Sequence, residues 1–179
     1  MRFRIEKNDI MQRIQLLSLV VPAKNTMPIL TNYRVEANEA ENKIIITVTD
    51  LELTVIESFS ANVFESGITL VPAKEFNEIV NAMPDGVITV EEIEEVISIH
   101  CGEVRFNIKS AEEHLFPITP SNMDLDTIDI DAHIFQRMVK NTHFSVAQES
   151  NRPVFRGIVW RITPEFQLMA SSDGKRISE

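Results

Sequence analysis

Residues able to ligate a metal or act as a nucleophile are few: His100, His114, His133, His143 and the single Cys101. They are scattered. His100 and Cys101 are adjacent, so on a strand they face opposite sides and cannot share a compact zinc site. Asp50 and Glu52 would lie on one face of a strand and could hold a divalent ion. An aspartate that bonds its own turn explains them better, and Asp173-Gly174 stands at a matching place later. An acid pair without a base or nucleophile beside it is not a catalytic constellation. Gly-x-Ser-x-Gly, Walker and dinucleotide motifs are absent. The expectation is a protein that is not an enzyme and needs no metal or cofactor.

What remains is a set of cations on helix outer faces and the loops after them. Arg13 and Lys24 belong to a first helix and loop. Arg137, Lys140 and Arg152 belong to a second, and Lys74 lies on the outer side of another helix. Net charge is −10, so the chain as a whole repels nucleic acid and acidic membranes. Any DNA contact must come from a locally basic face, which these cations form if the helices share a side. One cysteine excludes an internal disulfide and suits a reducing, cytoplasmic setting. The segment Met1-Arg2-Phe3-Arg4-Ile5-Glu6-Lys7 has no apolar h-region, so it is not a signal peptide. No apolar run approaches the ~18 residues that span a bilayer.

The elements that would position these cations come twice. Residues 2–6 alternate as a short strand. Asn8 is a candidate N-cap for a helix with Ile10, Ile14, Leu17 and Val21 buried and Gln12, Gln15 and Ser18 outward, ended by Pro22. Strands are expected at 33–37, 43–49, 53–59 and 67–71. Pro72 suits the first turn of a second helix, with Phe76, Ile79, Val80 and Met83 buried. Three more strands are expected at 87–90, 96–101 and 104–108, with Glu91, Glu92, Glu94 and Glu95 near a solvated hairpin tip. Leu115-Phe116-Pro117-Ile118-Thr119-Pro120-Ser121-Asn122 reads as a linker. The domains are therefore 1–121 and 122–179.

In the second, 127–131 is a strand and Asp131 caps a helix with Phe135, Met138 and Val139 buried. Strands follow at 154–162 and 166–170. Gln12-Arg13 echoes Gln136-Arg137, Pro28-Ile29-Leu30 echoes Pro153-Val154-Phe155, and Thr49-Asp50 echoes Ser172-Asp173, each about 125 residues on. Echoes at one spacing mean one supersecondary unit used again. The second unit lacks a counterpart of 56–119, so the expectation is a fragment of a longer protein.

Several short stretches in order resemble the bacterial DNA polymerase III β subunit family, the processivity sliding clamps. They are Asn25-Thr26-Met27-Pro28-Ile29-Leu30, Thr49-Asp50-Leu51-Glu52, Val71-Pro72-Ala73-Lys74, Met83-Pro84-Asp85-Gly86, Arg105-Phe106 and Phe116-Pro117. Arg152-Pro153-Val154-Phe155-Arg156-Gly157 and Ser172-Asp173-Gly174-Lys175-Arg176-Ile177 follow in the second unit. The resemblance implies an α+β DNA-clamp fold: repeated units of antiparallel sheet with two amphipathic helices on one face. It implies one complete domain and part of a second, from a homodimer ring around duplex DNA. It implies DNA-facing Arg13, Lys24, Arg137, Lys140 and Arg152. It implies a pocket for peptides of the DNA polymerase III core and clamp-loader subunits at Phe155, Ser172, Gly174, Lys175, Arg176 and Ile177. It implies a subunit interface at Lys74, Arg105, Phe106 and Ile108. Relatives commonly carry a neutral residue near Glu149 and His where Lys175 stands. Half of the pocket would lie beyond this chain, so weak or absent peptide binding is expected.

Three readings compete. The first is a non-enzymatic scaffold that encircles DNA. The second is a stand-alone protein-interaction module derived from a clamp that no longer encircles DNA. The third, an enzyme, lacks the motifs it would need.

Overall fold

Phe3 and Ile5 alternate with Arg2, Arg4 and Glu6, and this becomes strand β1 (Arg2–Glu6), with both apolar side chains buried. The computed structural model describes residues 1–22, 27–117, 128–149 and 151–179, which fall in two units, Met1–Pro120 and Ser121–Glu179. Lys24 and the expected boundary near residue 121 lie outside the described residues.

In the first unit, α1 (Lys7–Leu17) follows β1 directly. Asn8 lies inside its first turn rather than capping it. The cap position is the extended Glu6, whose side chain makes no capping bond, and the Lys7 N–H donates to Gly86 O at 3.0 Å. A neighbouring turn thus satisfies the first of the helix's orphan donors. The helix also ends before Pro22. Leu19 and Val20 donate to carbonyls three residues back, tightening the chain into 3-10 turns. Val21 is therefore beyond the helix and only half-buried.

Strands β2 (Asn32–Asn38), β3 (Lys43–Thr49), β4 (Thr54–Ser60), β5 (Asn62–Glu65) and β6 (Gly67–Pro72) come next. Then come α2 (Ala73–Ala82), β7 (Val87–Ile93), β8 (Val96–Cys101) and β9 (Val104–Lys109). Two antiparallel sheets form, in the orders β4-β3-β2-β6 and β5-β1-β7-β8-β9. The four-residue β5 has no signal of its own and exists because β1 offers it an edge. Pro72 is the last residue of β6, opposite Asn32, so Ala73 rather than Pro72 takes the first helical turn. Asp50 and Glu52 lie in the β3–β4 loop, not on a strand. Glu91 and Glu92 belong to β7, leaving Glu94 and Glu95 as the hairpin tip.

One core joins both sheets and both helices: Phe3, Ile10, Ile14, Tyr33, Ile46, Phe76, Val80, Ile88 and Ile97 belong to it. Tyr33 fastens the layers. Its hydroxyl donates to Ile14 O at 3.2 Å and Asn77 Nδ2 donates to it at 3.0 Å, while burial raises its pKa. The first two residues of the expected linker, Leu115 and Phe116, belong to the first unit, because Glu113–Leu115 form a 3-10 turn and Phe116 is buried.

The second unit has α3 (Ala132–Thr142), β10 (Val159–Ile162), β11 (Gln167–Ser172) and β12 (Ile177–Ser178), the strands forming one antiparallel sheet in that order. Asp131 caps α3 as expected, its Oδ1 accepting from the N–H groups of His133 and Ile134 at 2.9 and 3.0 Å. Residues 128–131 are not a strand. β1 is held between β5 and β7, and no such neighbours exist among the described residues of this unit. The expected strand from 154 begins only at Val159, because Pro153 starts a 3-10 turn, Pro153–Arg156. Pro28 does the same at Pro28–Thr31. Nor is the α3 stripe buried: Phe135 is 40% exposed and Met138 and Val139 are half-buried. α1 meets two sheets and α2, whereas Phe135 has the Trp160 ring at 5.3 Å and a three-stranded sheet.

Candidate functional site

The β3–β4 and β11–β12 loops are built alike. Asp50 Oδ1 accepts from the N–H groups of Glu52 and Leu53 at 3.0 and 2.7 Å. Asp173 Oδ1 accepts from those of Lys175 and Arg176 at 2.9 and 3.0 Å. Thr49 Oγ1 accepts from Leu51 N–H at 3.1 Å, and Ser172 Oγ from Gly174 N–H at 3.1 Å. Leu51 and Gly174 sit at φ 80° and 86°. Backbone donors stabilise each carboxylate, Leu53 N–H foremost at Asp50 and Lys175 N–H at Asp173, and hold both aspartates below the ordinary value. Each carboxylate thus closes its own turn, which agrees with the structural reading of Asp50.

The second of these loops carries most of the expected peptide-pocket residues. Ser172 Oγ also donates to Arg176 O at 2.7 Å, and Arg176 Nε donates to Asp173 Oδ2 at 3.0 Å. A Cβ on Gly174 would lie 4.0 Å from the Phe155 ring, so Phe155 adjoins the loop. Phe155 is half-buried and Ile177 is 76% exposed. A cleft of about 750 Å³ opens against the same loop, lined by Asp173, Lys175 and Arg176 and by His143, Phe144 and 146–149. The Arg176 guanidinium lies 5.9 Å from the Phe144 ring centre. Phe155 and Ile177 do not line this cleft. Sequence reasoning missed its second wall, since nothing in the run after α3 marks it as facing the loop.

The expected DNA-facing cations differ in their surroundings. Arg13 is ion-paired with Glu57 of β4 and lies 5.0 Å from the Phe59 ring centre, so much of its charge is compensated locally. Arg137 and Lys140 are exposed, three residues apart on one side of α3, with no carboxylate partner among the described residues. Arg152 is exposed and immediately precedes the Pro153 turn. The two helices align end to end, Lys7–Leu17 with Ala132–Thr142, which sets Arg13 against Met138. The Gln-Arg echo is therefore one residue out of helical phase.

The expected interface residues lie on β9, which among the described residues is an edge strand paired with β8 alone, and on α2. Phe106 stands opposite Ile99 and is 40% exposed, whereas Ile108, opposite Ile97, is 8% exposed. Arg105 points to the other face and donates to Ser98 Oγ at 3.4 Å, while Lys74 is exposed in the first turn of α2.

Residues 1–120 match the family profile described as DNA polymerase III beta subunit, N-terminal domain. The chain belongs to that family. It is 24% identical over 179 residues to the beta sliding clamp of Synechococcus elongatus, covering 99% of this chain and 48% of that one. It is 26% identical over 180 residues to that of Chlamydia muridarum, covering 100% and 49%. The crystal structure of a DnaN sliding clamp from Pseudomonas aeruginosa bound to griselimycin superposes with a TM-score of 0.90 at 23% identity, over 99% of this chain and 48% of that one. The fold is thus the mixed helix-and-sheet fold of the clamps. The chain spans about half the length of the curated relatives it matches. No helix among the described residues is long and apolar enough to cross a membrane.

Proposed function

We propose that this chain supplies the first domain, residues 1–121, and the first part of the second, 122–179, of a processivity sliding clamp. The clamp is a homodimer ring that encircles duplex DNA in the cytoplasm without reading sequence. It tethers the DNA polymerase III core and clamp-loader subunits, catalyses nothing and needs no cofactor. The observation that carries this reading is the repeated helix, 3-10 turn and hairpin with its aspartate loop, in a chain whose first 120 residues match the family. A ring of such units keeps its DNA by closure. Its contacts can therefore be few and directed at phosphates.

Arg137, Lys140, Arg152 and Lys24 would meet phosphates, with Arg13 weakened by Glu57. Phe155 and Ile177 would form apolar walls for a partner peptide, with Ser172 and Gly174 shaping the loop and Lys175 and Arg176 as its polar rim. Phe106 would form the apolar centre of the subunit contact, backed by the buried Ile108 and flanked by Lys74 and Arg105. The test is retention of the full-length subunit on DNA after loading. A clamp stays on a nicked circle and runs off once the circle is linearised; equal retention on both forms refutes encirclement.

A further inference from the structure

Residues directly opposite one another on antiparallel strands share a face. Through the five-stranded sheet the register runs Arg4 to Thr89, Thr89 to His100 and His100 to Arg105, with Asn62 of β5 on the other side of Arg4. The adjacent row, Phe3, Val90 and Ile99, is buried in the core, so the Arg4 row faces outward. All five side chains of that row can donate a hydrogen bond and none is a carboxylate, but Thr89 is only 4% exposed, so the accessible donors are those of Asn62, Arg4, His100 and Arg105. Strands lie ~4.8 Å apart, so the row runs for roughly 19 Å across the sheet.

Its charge is open. Arg2, on the same face, is paired with Glu91 at 3.8 Å, but Arg4 and His100 have no carboxylate partner among the described residues. The guanidinium groups of Arg2 and Arg4 lie 5.5 and 5.3 Å from the centre of the Phe64 ring, which restrains both.

We propose that this row is a docking strip for an extended acidic segment of a partner protein, its carboxylates received by Arg4, His100 and Arg105. Charge complementarity selects the occupant, because a donor-only row in a chain of net charge −10 attracts carboxylates locally. Nucleic acid fits less well. The exposed aromatic that could stack a base, Phe64, already carries two arginines. At ~3.4 Å per residue, about six residues of extended chain cover the row. The strip lies on the face opposite Phe106 and Ile108, and Arg105 at its β9 end is the member it shares with the proposed subunit contact.

The test is fluorescence anisotropy with the 179-residue chain and a labelled octapeptide alternating Glu and Ser, at low ionic strength. Saturable binding is expected, lost when Gln replaces each Glu, and weakened about tenfold or more by Arg4→Ser with His100→Ser. Arg4→Lys with His100→Gln keeps one cation and a hydrogen-bond donor at each position and should still bind, which keeps the test decisive if the neutral variant folds poorly. Absence of saturable binding overturns the proposal. So does equal binding of the Gln peptide, or unchanged affinity in the folded neutral variant. Tighter binding of a single-stranded oligonucleotide of equal charge overturns the choice of a peptide.

Discussion

Gly67 opens β6 with Met1 packed directly against it. A Cβ at position 67 would lie 2.9 Å from Met1 Cβ and 3.3 Å from Met1 Cα. Met1 is held from three sides. Its side chain is buried, its carbonyl accepts Glu92 N–H at 2.9 Å, and its α-ammonium is 3.6 Å from Glu65 Oε1. Gly67→Ala sets two effects against each other. Restricting the unfolded chain stabilises by ~0.4–1 kcal/mol. Forcing a methyl group into a filled space costs ~1–3 kcal/mol. The second wins, for a net loss of about 1–2 kcal/mol, and the melting temperature falls by roughly 2–8 °C.

The chain carries its own reporters, Tyr33 in the first unit and Trp160 in the second, each the only one of its kind. Thermal melts followed by far-ultraviolet circular dichroism and by the near-ultraviolet Tyr33 band should show the loss. Trp160 fluorescence should not. An unchanged or raised midpoint in the Tyr33 signal refutes the packing argument.

Three other perturbations test separate parts of the structure. Asp50 and Asp173 have folded pKa values below the ordinary 3.8, so their turns contribute stability above that value and lose it as pH falls through the folded pKa. A carboxyl carbon-13 titration should place both below 3.8, and a normal value for either would contradict the turn bonding. Ser145 Oγ is buried without a hydrogen-bond partner among the described residues, so Ser145→Ala should raise stability by about 1 kcal/mol in urea melts; a loss of that size would mean the hydroxyl is satisfied. Ile108→Ala should cost ~2–4 kcal/mol, and Phe106→Ala less because Phe106 is part-exposed. In the full-length subunit Phe106→Ala should also raise the dimer dissociation constant, which sedimentation velocity would measure.

Much of the first unit was legible because its elements are long and bury one face. The β-branched run of 43–49 and the Phe76–Val80 stripe need no tertiary context to be read. Failures occur where a neighbour decides. β5 and β12 are strands because β1 and β11 pair with them, and 128–131 is not one because none of the described residues pairs with it. The start of α1 depends on Gly86, from a turn far along the chain. The loop at 172–177 was legible from its Asp and Gly, but the opposing wall at 143–149 was not. Arg13 counted as a free cation in sequence, and only the strand register sets Glu57 where it can be neutralised.

The two aspartate loops carry different residues at their left-handed position, and that difference bears on the pocket. A left-handed backbone costs a non-glycine residue ~1–2 kcal/mol. Leu51 sustains this at the end of the β3–β4 ladder, which runs through seven residue pairs from Thr49–Thr54 to Lys43–Ser60. Gly174 avoids it at the end of a ladder of two pairs, Ser172–Ile177 and Ser171–Ser178. The long ladder can carry the strain; the short one has little to oppose it. Gly174→Leu should therefore release β12 and with it the placement of Arg176 and Ile177. Leu51→Gly should leave β3 and β4 in place. Hydrogen exchange read peptide by peptide compares them directly, with protection of 171–178 falling in the first variant and that of 48–55 holding in the second. Retained protection of β12 in Gly174→Leu would show that the aspartate bonds alone fix the loop.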